Sequence, residues 1–256
     1  MNPELVVKAA LDIGEAMLKS GAETVRVEDT ISRICRSYYE GRLDVTSYLS
    51  TLFVSMEVTD WTKQTESPRI ITQHRRIASV SNNLNKLEEL NALSRYVCEN
   101  TPTPEEIEMR LQSILKTVPT LKRYLIGYCI VGFGFTVFFG GNLLDGLCCS
   151  IISIMMYLAD RHTQAHINNE LIRTFILSFI TGLAACLLQL SALPIHMDKI
   201  MIGNVMLLIP GLAFTNSLRD LFTGDIVSGS LKLLNSLMLA VAVALGFAVS
   251  MIMTGV

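Results

Sequence analysis

Charge is spread so unevenly along this chain that one half of it has a single kind of place to fold. Of its 21 basic and 23 acidic side chains, 33 fall in residues 1–123 and 11 in residues 124–256, where they are scattered between long apolar runs. A bilayer core roughly 30 Å thick takes about 20 apolar residues to cross as a helix, and the second half holds several such runs. The sequence therefore predicts a polar domain over 1–123 followed by a membrane domain over 124–256. This division excludes a secreted disulfide scaffold and a wholly soluble enzyme. With a net charge of −2 it also excludes a nucleic-acid binder built on positive charge.

In the polar half, Asn2-Pro3 is a helix start, a capping side chain followed by a fixed φ. Leu5, Ala9, Ile13, Ala16 and Met17 then repeat at helical spacing until Gly21. Val27, Ile31, Ile34, Cys35 and Tyr38 form a second stripe, closed by Gly41. The period then changes to two. Leu43, Val45, Ser47 and Leu49, then Leu52, Val54, Met56 and Val58, alternate as strands do. A turn over Asp60–Ser67 leads to a basic third strand, Arg69 to Ala78. Helical spacing returns with Leu84, Leu87, Leu90 and Val97, and Thr103-Pro104-Glu105-Glu106 reads as a capping box opening a helix that runs to Val118. The expectation is an N-terminal cytosolic domain of ααβββαα order. No signal-peptide pattern opens the sequence.

Glu23, Arg26, Glu28 and Asp29 crowd the start of the second helix beside Gly21. Acidic residues there suit a positive helix end; a ligand or docking site is the other reading. His74-Arg75-Arg76 fits a protected sheet edge. No nucleophile–base pair and no phosphate loop appears, so the chain is not read as an enzyme, and no cofactor is implied.

Five spans are expected: Tyr124–Gly140, Leu143–Ala159, Leu171–Leu193, Ile200–Phe214 and Leu233–Thr254. Lys122, Arg123, Arg161, Arg173, Arg219 and Lys232 flank one side and Lys199 the other, which places the N-terminus in the cytosol and the C-terminus outside. The expected fold is thus a polytopic α-helical membrane protein of about five transmembrane helices with a cytosolic α+β domain. Five spans look like half of a two-repeat transporter. Three polar features stand out in this half. Gly140-Gly141-Asn142 precedes Asp145 at the outer end of the first hairpin. The fourth span carries Asn204 and is broken by Pro210-Gly211. Asn216 and Asp220 share a helical face, with Arg219 beside them and Asp225 beyond Gly224, in what reads as a re-entrant or interfacial segment. Broken helices in membranes line cavities or are covered by protein, and intramembrane acids mark pathways.

Weaker signals are a ladder of small residues, Ser236, Ala240, Ala244 and Ala248, suited to close helix packing. His162, His166 and Glu170 share a spacing that could hold a metal but reads better as an interfacial polar run; no metal is expected. Cys35, Cys98, Cys129, Cys148, Cys149 and Cys186 show no zinc or redox spacing and read as buried apolar residues.

The run Ser20-Gly21-Ala22-Glu23-Thr24-Val25-Arg26-Val27-Glu28-Asp29, the turn Gly140-Gly141-Asn142 with Asp145, and above all Ile209-Pro210-Gly211 through Asn216-Ser217-Leu218-Arg219-Asp220 to Gly224-Asp225 and Ser228-Gly229 resemble the threonine/serine exporter family (ThrE type), in its larger N-terminal-type subunit. The resemblance implies export of threonine and serine, driven by the proton gradient, with a smaller membrane partner of four or five spans; succinate export by some split pairs is an alternative. Asp145, Asn216, Arg219, Asp220 and Asp225 carry over by position. On physical grounds Asp145 or Asp220 would carry the proton and Arg219 would meet a substrate carboxylate. The expected surroundings are the plasma membrane bilayer, a small-molecule substrate and a partner subunit or second copy, with no nucleic acid. The alternative from another class is a membrane-anchored sensor or scaffold whose soluble domain is the working part; a membrane-embedded hydrolase using His162 and His166 is a third.

Overall fold

The computed structural model describes residues 2–48, 51–58, 69–77, 82–117, 120–191 and 193–255. It divides into two compact units, Met1–Val118 with Thr215–Leu231, and Pro119–Phe214 with Lys232–Val256. The segment Thr215–Leu231, read from sequence as part of the membrane half, thus belongs with the N-terminal unit.

The N-terminal unit opens with α1 (Pro3–Lys19), capped by Asn2, whose side chain accepts from the Glu4 N–H. It continues with α2 (Thr24–Tyr38), β1 (Leu43–Tyr48), β2 (Thr51–Val58), β3 (Arg69–Arg76), α3 (Leu84–Asn100) and α4 (Pro104–Lys116). The strands form an antiparallel sheet in the order β1-β2-β3, with Val45 opposite Val54 and Met56 opposite Ile71. Leu52, Val54 and Met56 point to the buried face, as their alternation predicts, and meet Leu11, Ile31, Ile34, Leu90, Val97 and Ile107 in one core. β3 lies at an edge, and two of its arginines are anchored, Arg75 to Asp12 at 2.9 Å and Arg69 to Glu4. The expected turn over Asp60–Ser67 and the residues Leu49, Ala78 and Val118 lie outside the described residues.

One local expectation is corrected. Thr103 caps α4 by accepting from the Glu106 N–H, but Glu106 does not reach back to complete the box. Its carboxylate accepts the Tyr96 hydroxyl at 2.8 Å and pairs with Arg110 at 3.0 Å, and these two donors hold its pKa below the ordinary carboxylate range. A tertiary partner has displaced a local one.

The second unit is built from α5 (Leu121–Phe138), α6 (Leu143–Gln164), α7 (Glu170–Gln189), α8 (Met197–Leu208) and most of α10 (Ile226–Thr254). α5, α6, α7 and α10 are each long and apolar enough to cross a bilayer, and α8 with α9 (Gly211–Phe222) forms a bent pair that makes up to five spans. The chain is therefore a polytopic helical membrane protein. The last helix begins at Ile226, seven residues ahead of the expected Leu233, because Asp225 caps it: its side chain accepts from the Ser228 N–H.

Close helix contacts in this unit are made by glycines. Against α10, Ser178 and Gly182 of α7 face Gly246 and Ser250, in the same order along both helices. A Cβ on Gly246 would lie 1.9 Å from Ser178 Oγ, and one on Gly182 would lie 2.2 Å from Ser250 Oγ. Each glycine thus receives the other helix's serine. The expected ladder is on another face: Ser236 is buried, whereas Ala240, Ala244 and Ala248 are exposed.

Candidate functional site

α9 exists because Pro210 cannot continue α8, and the chain turns by 54° across the break. The last turn of α9 ends at Gly224, whose φ of +97° is the left-handed conformation glycine adopts freely. Along α9, Asn216 and Asp220 are four residues apart and so share a face. That face meets the loop between α1 and α2. Gly21, with φ +91°, swings the chain out of α1 and presents its carbonyl to Asn216 Nδ2 at 3.3 Å. The Thr24 hydroxyl donates to Asp220 Oδ2 at 3.5 Å, and Arg219 forms an ion pair with Glu23. Asp220 is 1 % exposed and Ser217 is fully buried.

Two stretches singled out separately in the sequence, nearly 200 residues apart, are thus one cluster. A buried carboxylate, a hydroxyl, an amide and an opposed Arg–Glu pair occupy it. Arg219 already has an anionic partner, so a carboxylate arriving there would compete with Glu23.

The other acidic residues at the start of α2 have partners of their own. Glu28 accepts the Ser47 N–H at 2.6 Å, tying α2 to β1, and Asp29 pairs with Arg33 at 2.9 Å. Arg26 does not join the cluster; it lies on the side of α2 that faces α3.

Asp145 sits in the membrane unit with no exposed surface. It completes a capping box with Asn142: the Asn142 side chain accepts the Asp145 N–H at 2.7 Å, and Asp145 Oδ2 accepts the Asn142 N–H at 2.8 Å. The same carboxylate receives the His196 N–H at 2.8 Å and lies 2.9 Å from His196 Nδ1. His196 was missed from sequence. It stands just before α8 in a stretch without periodicity, and nothing local marks it as the partner of a residue 51 positions away.

Asn204 lies at the centre of a third polar group. It is fully buried and joins two helices: Ser153 Oγ of α6 donates to its Oδ1 at 2.9 Å, and its Nδ2 reaches Cys149 Sγ at 3.1 Å and the Ile200 carbonyl at 3.0 Å. Both amide hydrogens and the carbonyl oxygen are used, which leaves little for a solute. Interhelical hydrogen bonds of this kind are worth about 1–2 kcal/mol at most. Asn204→Ala should therefore cost about 1 kcal/mol in the unfolding of the purified chain, while solute binding persists. Loss of binding with unchanged stability would instead return Asn204 to the pathway.

The His162 and His166 rings lie with centroids 4.9 Å apart, tilted by 39° to each other, and Asp160 pairs with Arg173 at 3.3 Å. Among the described residues no group of three His, Cys, Asp or Glu is placed to hold a metal ion.

The family model of the ThrE threonine/serine exporters matches residues 8–254 of the chain. The chain is also similar to a protein named threonine/serine exporter from Corynebacterium glutamicum, with 23% identity over 251 residues, covering 94% of this chain and 50% of that relative. It therefore spans about half the length of the curated relative it matches. No solved structure matches it.

Proposed function

The chain belongs to the threonine/serine exporter family, and from that premise we propose that it is a subunit of a membrane exporter of small hydrophilic amino acids, threonine and serine. In this reading it lies in the plasma membrane with its N-terminal unit in the cytosol and its C-terminus outside. The match to half of the Corynebacterium relative supports a second membrane half working beside this one, as a smaller chain of four or five spans. Proton movement supplies the drive, with Asp220 and Asp145 as the carboxylates that take part, and the protein acts as a transporter rather than an enzyme.

The observation that carries this reading is the cluster of Asn216, Arg219 and Asp220 on α9 against Gly21, Glu23 and Thr24. A simple anchor has no use for a helix broken at Pro210 that brings a buried acid and an ion pair together. Transporters do, because the polar ends and side chains of broken helices form their solute and ion sites.

The test is efflux of threonine, serine and succinate from loaded cells expressing this chain alone or with the small membrane protein encoded beside it. Threonine or serine efflux should require both chains, and Asp220→Asn should reduce it by at least about tenfold, the equivalent of 1.4 kcal/mol. Succinate efflux in place of amino acid efflux would change the substrate. Undiminished efflux in Asp220→Asn would remove the α9 cluster from the pathway. No efflux of any of the three, with both chains in the membrane, would favour a sensor whose working part is the N-terminal unit.

A further inference from the structure

The arginines of the N-terminal unit are mostly neutralised. Arg33, Arg42, Arg69, Arg75, Arg110 and Arg219 each have a carboxylate partner. Arg26, Arg36, Arg76 and Arg95 have none among the described residues, and of these Arg26 and Arg95 line the same pocket, a cleft of about 280 Å³ between α2 and α3. Apart from Cys98, every residue that lines it has a polar or charged side chain. Arg26, Thr30 and Arg33 supply one wall at helical spacing, and Ser94, Arg95 and Glu99 supply the other. Thr30 and Ser94 form the buried floor, their hydroxyls turned back onto the carbonyls of Arg26 and Asn91. Glu99, like the two arginines, has no ion-pair partner among the described residues.

We propose that this cleft is a binding site for a free α-amino acid. Two guanidinium groups on one small cleft repel each other, and a carboxylate placed between them turns that repulsion into attraction. The planar fork of arginine matches a carboxylate in geometry as well as charge. Glu99, one helical turn beyond Arg95, supplies the acceptor for the ligand's ammonium group. The acids in the lining, Asp29 and Glu99, weigh against phosphate or a dicarboxylate, which would bring a second negative charge towards them. Binding at this cleft stands on the lining alone. Its role as a sensor of the exported solute rests on the exporter reading.

Cys98 lines the same cleft and reports on it. Burial pushes its thiol up, and pushes that of Cys35 up to about 12, so mildly alkaline maleimide distinguishes half-buried Cys98 from buried Cys35. In the full chain in lipid nanodiscs, labelling of Cys98 is followed by peptide mass mapping with L-serine, L-threonine, serine methyl ester, succinate or inorganic phosphate. Each is present at about 10 mM, above the millimolar Kd expected of an open polar cleft. Serine or threonine should slow Cys98 labelling at least about threefold, the ester should not, and labelling of Cys129 in the membrane unit should not change. Arg26→Gln and Arg95→Gln, both at exposed side chains, should abolish the protection. Protection by the ester, or by phosphate or succinate as strongly as by serine, would overturn the proposal. So would protection that survives both substitutions, or none in the parent chain. If a variant proves misfolded, the contrast between serine and its ester in the parent decides. Efflux is measured in parallel: its absence would count against the exporter reading while leaving the protection result to judge the cleft.

Discussion

Gly246→Leu should leave little folded membrane unit. A Cβ at this position would sit 1.9 Å from Ser178 Oγ, 2.7 Å from the Phe175 carbonyl oxygen and 2.8 Å from the Phe179 nitrogen. The serine hydroxyl can rotate, but the two backbone atoms can move only if α7 moves. Overpacking a tight core costs about 1–3 kcal/mol and sometimes more. Here the contact is repeated one turn on, where Gly182 meets Ser250, so parting the helices at Gly246 also loses the second contact. The expected cost is above about 3 kcal/mol, read as loss of the monodisperse peak when the chain is extracted in mild detergent. Ala244→Leu, at an exposed position on the same helix, is the control and should extract normally. Equal behaviour of the two variants would mean that α7 and α10 do not pack through these glycines.

Asp145→Ala should be the most damaging change at any charged residue of the membrane unit. The substitution removes the acceptor for the Asn142 N–H, the His196 N–H and the His196 ring. Loss of a helix cap costs about 1 kcal/mol, and a buried N–H left without a partner costs about 1–3 kcal/mol more. A total of about 3 kcal/mol corresponds to roughly 10 °C in the thermal midpoint for a chain of this size. Asp145→Asn keeps one acceptor oxygen and should lose about half as much. The pair of variants separates two roles. If Asp145 only holds the turn, efflux falls in step with stability. If it also moves a proton, Asp145→Asn loses coupling while remaining folded. An unchanged midpoint in Asp145→Ala would dismiss the network.

Much of the architecture was legible because its signals are local. Asn2-Pro3 and Thr103-Pro104 start helices where they stand, and the alternation of Leu52, Val54 and Met56 fixed which face of β2 is buried. Apolar length fixed four spans, and Pro210 fixed the break in the fifth. What escaped was pairing. Nothing near Glu23 says that its partner is Arg219, and nothing near Asp145 says His196, because an ion pair or hydrogen bond across the fold leaves no periodic trace. The capping box at Asn142 was hidden by the reading of that stretch as a turn. The small-residue ladder failed for a different reason. In an apolar helix, side chains facing lipid and side chains facing another helix are alike in polarity, so hydropathy cannot choose between Ala240-Ala244-Ala248 and Gly246-Ser250.

The shared direction of α7 and α10 fixes a parity. Two helices that run the same way through a membrane are separated by an odd number of crossings, and within the membrane unit the helix between them is α8. With 12 residues, α8 is about 18 Å long, well short of a hydrocarbon layer of about 30 Å. The return crossing is therefore completed by chain that is not part of a continuous helix, with its freed backbone groups shielded by protein or met by water.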